Sequence, residues 1–386
     1  MRIAFGIFRL APTGGLERNA MTLAEMLTAR GHRVALHATR GLELAPAGVD
    51  RVAIAPAGWS NHGRQAAFST SYAAASAAGF DLVVGFQKLA GLDLLYCADW
   101  CFVDRPRPAW QRLLPRYRVM TRLERACFGA GSRTRILGLA RPQLDAYLRA
   151  YATPQDRLAL LPPTVEPGRR PAAPRTGAAR TALRRKHGLD STAVLWLWIG
   201  LQPRVKGLDL VVGALGRHPE ARLLVCGPAS GNRQLEALLA AARRAGVADR
   251  IRLFGMVSDG QLLGELFAAA DLLVHPARLD VTGTVILEAI VNGLPVITTA
   301  NCGYAAHVLA ADAGVVLPAE PAPERLDQAL IGAGVEQRAR WSANAFAYGR
   351  RPDLFSGLSR AADLIEAAAR RDEAPWAALA SADKPA

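Results

Sequence analysis

The chain has 386 residues, 51% hydrophobic and 21% charged, a globular composition long enough for two domains or three. No apolar run reaches the roughly 18 residues of a membrane span, and Arg9 interrupts the apolar N-terminal run, so no secretory signal is read there and a cytoplasmic location is expected. The net charge of +14, almost all of it arginine, favours an anionic partner such as nucleic acid, a phosphorylated substrate or an acidic membrane face, although arginine-rich codon usage alone would give the same total.

Arg2 to Phe8 reads as a buried strand, and Leu16 to Ala29 as a helix with Leu16, Ala20, Leu23, Ala24 and Leu27 on one face. The loop between them carries Gly14-Gly15, a pair rather than the G-x-G-x-x-G of dinucleotide sites. Arg33 to Ala38 is the next strand and completes the opening βαβ of a doubly wound sheet. Asn61-His62-Gly63-Arg64 is a polar cluster assigned to a loop. Phe80 to Phe86 is a further strand, followed by Lys88 and Gly91-Leu92-Asp93. Tyr96-Cys97-Ala98-Asp99 brings an acid to a strand's C-terminal end, where open α/β sheets bind ligands; a helix cap is the other role open to it.

From Arg105 to Arg135 arginines interleave with Trp110, Leu113, Leu114, Tyr117, Met120 and Leu123, and apolar positions recur at helical spacing from Trp110 onward. A basic amphipathic helix with a Trp is expected on an anionic membrane surface. An arginine-covered solvated face is the plainer reading. Bases stacked on Trp110 and Tyr117 are a third, but no RNA-binding motif accompanies them and nucleic acid is not an expected partner. The five cysteines (Cys97, Cys101, Cys127, Cys226, Cys302) are odd in number and lack the second pair of a zinc site, so they read as reduced thiols.

Leu158 to Leu161 and Pro162-Pro163 end the first half, and Glu166 to Arg185 reads as a linker and a first helix. Strands at Val194 to Ile199, Arg222 to Cys226, Ile251 to Phe254 and Leu272 to Val274, and one beginning at Pro295, alternate with helices at Asn232 to Ala245 and Asp259 to Ala270. That is a second Rossmann-like domain. Ala361 to Arg371 is a last helix, and residues 376–386 read as a frayed tail.

Two such domains make a cleft between two sets of strand C-termini. The second supplies Arg204 and Lys206 after its first strand and Asp280 after its fourth. Thr282, Gly283 and Thr284 then open a helix that carries Glu288. A helix start offers unpaired N–H groups, and a carboxylate grips a diol with its two oxygens. Arg204 and Lys206 would neutralise a leaving diphosphate, Glu288 would hold ribose hydroxyls and Asp280 sugar hydroxyls. Lysine is rare here, so Lys206 suits a compact point charge; an incidental surface lysine is the alternative. Glu288 has the alternative of facing solvent, and His275 reads as a packed strand-end histidine. No Asp-x-Asp motif occurs, so neither metal nor cofactor is expected.

Lys206-Gly207, Asp280 to Glu288 and Gly293-Leu294-Pro295-Val296 resemble the donor half of glycosyltransferase family 4, retaining enzymes of the GT-B fold. Gly14-Gly15-Leu16-Glu17-Arg18, Asn61-His62-Gly63-Arg64, Val84 to Lys88, Ala98-Asp99, Arg116-Tyr117-Arg118 and Thr298 to Ala305 extend the resemblance over nearly the whole chain, toward the lipopolysaccharide core glucosyltransferases that glucosylate inner-core heptose. The resemblance implies an α/β GT-B architecture, two Rossmann-like domains facing each other across a cleft. The acceptor domain would span residues 1–165 and the donor domain 166–349, with 350–375 returning to the first. It implies a UDP-sugar donor, with UDP-glucose favoured, no metal, and a lipopolysaccharide or similar glycolipid acceptor at the inner face of the cytoplasmic membrane. Asp99 matches the acid near the acceptor; Gly14 and Gly15 would face the donor phosphate; Asn61, His62, Arg64, Lys88, Trp110, Arg116 and Arg118 fall in the acceptor and membrane-facing segments. The family has Glu where Asp280 stands, which leaves UDP-galactose, a UDP-N-acetylhexosamine or another glycolipid or exopolysaccharide acceptor as alternatives. A basic lipid- or nucleic-acid-binding module without catalysis is the distant one.

Overall fold

Short runs of Val, Ile, Leu and Phe bounded by polar turns form strands that are covered on both faces, as parallel sheets require. The computed structural model describes residues 1–11, 14–229, 231–372 and 376, and the chain divides into two units, Met1–Pro163 with Ser356–Ala386, and Thr164–Phe355. The first contains β1 (Arg2–Gly6), α1 (Gly15–Ala29), β2 (Arg33–Ala38), β3 (Asp50–Ala53), α2 (Asn61–Ser76), β4 (Leu82–Gly85), β5 (Leu94–Cys97), α3 (Pro115–Phe128), β6 (Arg135–Gly138), α4 (Arg141–Tyr151) and β7 (Leu158–Leu160). Its strands form one parallel sheet in the order β3-β2-β1-β4-β5-β6-β7. Ile3, Phe5, Val34 and Leu36 pack on one face, and Phe68, Tyr72, Phe128 and Tyr147 fill the other.

The second unit contains α5 (Gly177–Lys186), β8 (Val194–Ile199), α6 (Leu208–Leu215), β9 (Ala221–Cys226), α7 (Arg233–Arg244), β10 (Ile251–Gly255), α8 (Gly260–Ala269), β11 (Leu272–His275), α9 (Thr284–Val291), β12 (Val296–Thr299), α10 (Ala305–Ala310), β13 (Gly314–Leu317), α11 (Pro323–Gly332) and α12 (Val335–Tyr348). Its parallel sheet runs β10-β9-β8-β11-β12-β13. Along β8, Leu195 and Leu197 enter one apolar layer while Trp196 and Trp198 enter the other, the two-residue alternation of a central strand. The last helix, α13 (Gly357–Arg370), belongs to the first unit and packs on α1, where Arg30 meets Asp363 at 2.8 Å and His32 lies 2.7 Å from Glu366.

Several expectations need correction. Asn61 to Arg64 is the first turn of α2 rather than a loop: the Ser60 hydroxyl caps it, accepting from the Gly63 N–H at 3.1 Å. The helix expected to run from Trp110 breaks at Pro115. Ala109–Leu113 is a 3-10 turn, Leu114 is extended, and α3 starts afresh, because a residue before proline is pushed out of the helical region. The return to the first unit begins at Ser356 rather than near Arg350, whose guanidinium is held by the Pro171 and Val291 carbonyls of the second unit. Trp376 is buried in the first core; the rest of the tail, 377–386, lies outside the described residues. The five cysteines are free and buried, and burial pushes the Cys97 and Cys127 thiols up to about 12. Among the described residues no helix is long and apolar enough to cross a membrane.

Lys88 also departs from its expected acceptor or membrane-facing role. Its side chain is buried, with Nζ 2.7 Å from Glu124 Oε1 and 3.1 Å from the Trp100 carbonyl oxygen. Glu124, fully buried on α3, also accepts from the Phe102 and Val103 N–H groups and the Tyr151 hydroxyl. Burial pulls the Lys88 pKa down, but Asp99 and Glu124 overcome that and raise it. The pair therefore ties α3 to the loop that follows Asp99. Lys88→Met would leave Glu124 buried and uncompensated, and is expected to cost about 3–5 kcal/mol in urea unfolding. A loss below about 1 kcal/mol, the worth of an exposed pair, would contradict this account.

Candidate active site

Strand order reverses between β8 and β11, the position at which open α/β sheets place ligands beyond the C-terminal ends of their strands. Trp198 at the end of β8 donates its indole N–H to the Lys206 carbonyl oxygen at 2.9 Å. Gly207 then turns the chain into α6 with φ +74°, and a Cβ at that position would collide with the Pro276 carbonyl oxygen. The loop after β11 is laced to this one: the Arg278 N–H donates to the Val205 carbonyl at 2.8 Å, and the Arg278 guanidinium grips both Asp209 oxygens at 2.8 Å. A third loop, after β12, joins through Asp280 N–H to Asn301 O (3.1 Å), Gly303 N–H to Asp280 O (3.1 Å) and Tyr304 N–H to Thr282 O (2.7 Å).

These loops converge on three side chains. Lys206 Nζ lies 2.8 Å from Asp280 Oδ2, and His275 Nε2 lies 3.0 Å from the same oxygen. Lys206 also donates to the Leu279 carbonyl at 3.3 Å. Burial would raise the Asp280 carboxyl, but the hydrogen bond and charge from His275, with those of Lys206, hold it well below the usual carboxylate range. His275 is buried at the end of β11, and its Nδ1 finds no partner among the described residues. The contact to the ionised Asp280 carboxylate is made by Nε2, which donates its hydrogen to Oδ2.

Lys206 and Asp280, expected to serve phosphate and sugar separately, are thus in contact. His275, expected only to pack, joins them. Glu288 stands in α9 with its side chain 13% exposed, its Oε1 4.0 Å from Arg169 Nε. Gly283 caps α9 with φ +70°, and the Thr282 and Thr284 hydroxyls lie 3.2 Å apart at its entrance. Arg204 is exposed; its backbone carbonyl, not its guanidinium, meets Arg278. In the first unit Asp99 is exposed two residues past β5, and its carbonyl oxygen is held by Gln143 (2.7 Å) and the Tyr147 hydroxyl (3.1 Å). Gly14 and Gly15 start α1. Asn61, Arg64, Trp110, Arg116 and Arg118 are exposed and His62 half-buried. Arg169, Trp198 and Arg278 are given no site role by the sequence, and His275 only a packing one. Only His275 gave a local signal, a polar residue closing an apolar strand.

The depressed Asp280 pKa has a definite sign in stability. Its ionic contribution is present above the unfolded carboxylate value near 4 and is lost as pH falls through the lower folded value. The urea-midpoint advantage of the wild type over Asp280→Asn is expected to be full near neutrality and to shrink as pH drops below about 4. An advantage that holds or grows in acid would contradict the arrangement.

Residues 179–347 match the family Glycosyl transferases group 1. The chain is 34% identical over 377 residues to the lipopolysaccharide glucosyltransferase WaaG of Escherichia coli K12, covering 95% of this chain and 98% of that one. The crystal structure of WaaG, a glycosyltransferase involved in lipopolysaccharide biosynthesis, superposes with a TM-score of 0.85 at 33% identity, covering 94% of this chain and 99% of that one. Anabaena HepE in complex with UDP and glucose is 17% identical, with a TM-score of 0.72 over 95% of this chain and all of its own, and so shares the fold. The two parallel-sheet Rossmann-like units are those of the GT-B class. The chain is a glycosyltransferase, and it belongs to the family of the lipopolysaccharide glucosyltransferase WaaG.

Proposed function

We propose that this glycosyltransferase moves a hexose, glucose from UDP-glucose, to a heptose of the lipopolysaccharide inner core, with retention of configuration. The observation that carries the reading is the Lys206–Asp280–His275 cluster at the strand-order reversal of the second unit, in a chain 34% identical over 95% of its length to a lipopolysaccharide glucosyltransferase. The donor diphosphate binds at Lys206, whose ammonium is fixed in advance by Asp280 and whose backbone is fixed by Trp198. Charge developing on the leaving phosphate then meets a cation that needs no rearrangement. Arg204 adds a second cation from the exposed loop, and the first turn of α9, entered through Thr282, Gly283 and Thr284, supplies N–H groups.

Glu288 accepts from the ribose hydroxyls, with Arg169 limiting its swing. Both contacts of Asp280 fall on Oδ2, and its Oδ1 takes a sugar hydroxyl. The leaving phosphate oxygen removes the proton of the acceptor hydroxyl as the new bond forms on the same face of the sugar. The chemistry therefore uses no side-chain nucleophile and no metal. Asp99 orients the acceptor. Asp280 is one methylene shorter than the glutamate of the family pattern, and this favours a second reading in which the donor is UDP-galactose or a UDP-N-acetylhexosamine.

The acceptor is a lipid, and the surface between α3 and the preceding loop supports work at the inner face of the cytoplasmic membrane. Trp110 is 60% exposed and Leu113 73%, with Leu114 beside them and Arg105, Arg112, Arg116 and Arg118 exposed around them. Apolar side chains ringed by arginines are the makings of an interfacial contact with anionic lipid.

Incubation with a panel of UDP-sugars and truncated lipopolysaccharide is expected to give transfer from UDP-glucose; no transfer from any donor would end the proposal. Lys206→Ala should lower kcat by about 10²–10³-fold, and Glu288→Ala should raise the donor KM; near-normal turnover in either removes its assigned role. Sedimentation with anionic vesicles should show binding that falls with salt and is weakened by Arg116→Ala with Arg118→Ala, by about 1 kcal/mol per arginine. Equal binding to neutral vesicles would contradict the membrane assignment.

A further inference from the structure

The second unit holds a cavity of about 580 Å³ on the opposite edge of its sheet from Lys206 and Asp280. It opens at the N-terminal ends of β8, β11 and β12, whereas Lys206 and Asp280 follow the C-terminal ends of β8 and β11. Four guanidiniums line it, those of Arg175, Arg180, Arg184 and Arg338, together with one carboxylate, Asp271. Arginine stays charged inside proteins, and buried like charge is costly without a counter-ion.

Asp271 cannot balance the four. Its Oδ1 takes Arg180 at 2.7 Å, and its Oδ2 takes both Arg184 and the Leu195 N–H at 2.7 Å. Arg175 is spent on the Ala268, Ala270 and Gly293 carbonyls. Arg338 donates to the Ala333 carbonyl; burial lowers its pKa, against the pull of Asp271, which it shares with Arg180 and Arg184, and a weaker one from exposed Glu220. Arg175 registers the excess: burial first, then the charge of Arg180, brings its pKa down to about 10 against the opposing pull of Asp271. Each guanidinium carries five N–H donors in a fork that fits a phosphate, and Arg180 and Arg338 each make a single side-chain contact of those described above. Phe346 adds an aromatic wall. The volume lies in the range of small-molecule sites.

We propose that this cavity binds a small phosphate monoester with a ring, Arg180 and Arg338 gripping the phosphate and Phe346 lying against the ring. The site is separate from the sugar-transfer chemistry and does not depend on the donor or acceptor assignment.

Calorimetric titration of the full chain at fixed ionic strength, with inorganic phosphate and with phenyl phosphate, tests it. Both are expected to bind the wild type, phenyl phosphate more tightly, and both are expected still to bind Lys206→Ala, in which the ammonium of the donor site is gone. Arg180→Gln and Arg338→Gln should each weaken binding about ten-fold, the loss of one charge-assisted hydrogen bond. Arg180 is 40% exposed, so its variant reads the site even if Arg338→Gln fails to fold. No binding by the wild type, loss of binding in Lys206→Ala, or full binding in Arg180→Gln would each overturn the site. Equal affinity for the two probes would overturn the ring contact and the monoester assignment with it.

Discussion

The ion pair between Lys206 and Asp280 is the interaction on which the candidate site of the second unit depends. A lysine ammonium in a loop is ordinarily mobile and well hydrated, and so a poor template for a developing charge. Here it is fixed from two sides, by a carboxylate at 2.8 Å and, through its own backbone, by Trp198. Asp280 is in turn fixed by His275 and by the lacing of its loop to Asn301, Gly303 and, through Thr282, Tyr304. Three loops from three adjacent strands are thus coupled through one residue, its carboxylate joining Lys206 and His275 and its backbone joining Asn301 and Gly303. Under the proposed function, an arriving diphosphate would compete with Asp280 for the same ammonium. The pair holds the charge ready and keeps it compensated while the site is empty, which limits the cost of leaving it half-buried.

Much of this framework was legible in the sequence because parallel strands announce themselves. Val194 to Ile199 carries no polar residue, and Gly283-Thr284 and Asn292-Gly293 bracket α9 with turn residues. The residue types at Lys206, Asp280 and Glu288 were legible for the same reason: each follows a readable strand or helix start. What stayed hidden depended on contacts distant in sequence. His275 looks like packing until Asp280 is seen five residues on, folded back over the strand end. Lys88 looks like a surface cation until Glu124, 36 residues later, is found beside it in the core. Pro115 breaks the helix that the apolar spacing from Trp110 predicts, because the residue before it is driven to extended backbone.

Composition alone also misjudged the arginines. The charge of +14 pointed to an anionic partner, yet part of it is structural. Arg157 donates to the carbonyls of Cys127, Phe128, Gly129 and Thr134, closing the loop between α3 and β6. Arg175 and Arg350 do the same for loop and helix ends in the second unit. A planar fork with five donors suits backbone carbonyls that no helix or strand satisfies. Arginines left for partners include the exposed Arg204, those exposed around Trp110, and Arg180 and Arg338 in the cavity beside Asp271.

The most direct test of the central claim is a crystal structure of the chain with an intact UDP-sugar. The account predicts Lys206 Nζ within hydrogen-bond distance of a diphosphate oxygen, Glu288 on the ribose hydroxyls and Asp280 still tied to His275. A diphosphate bound elsewhere, with Lys206 engaged only by Asp280, would contradict it.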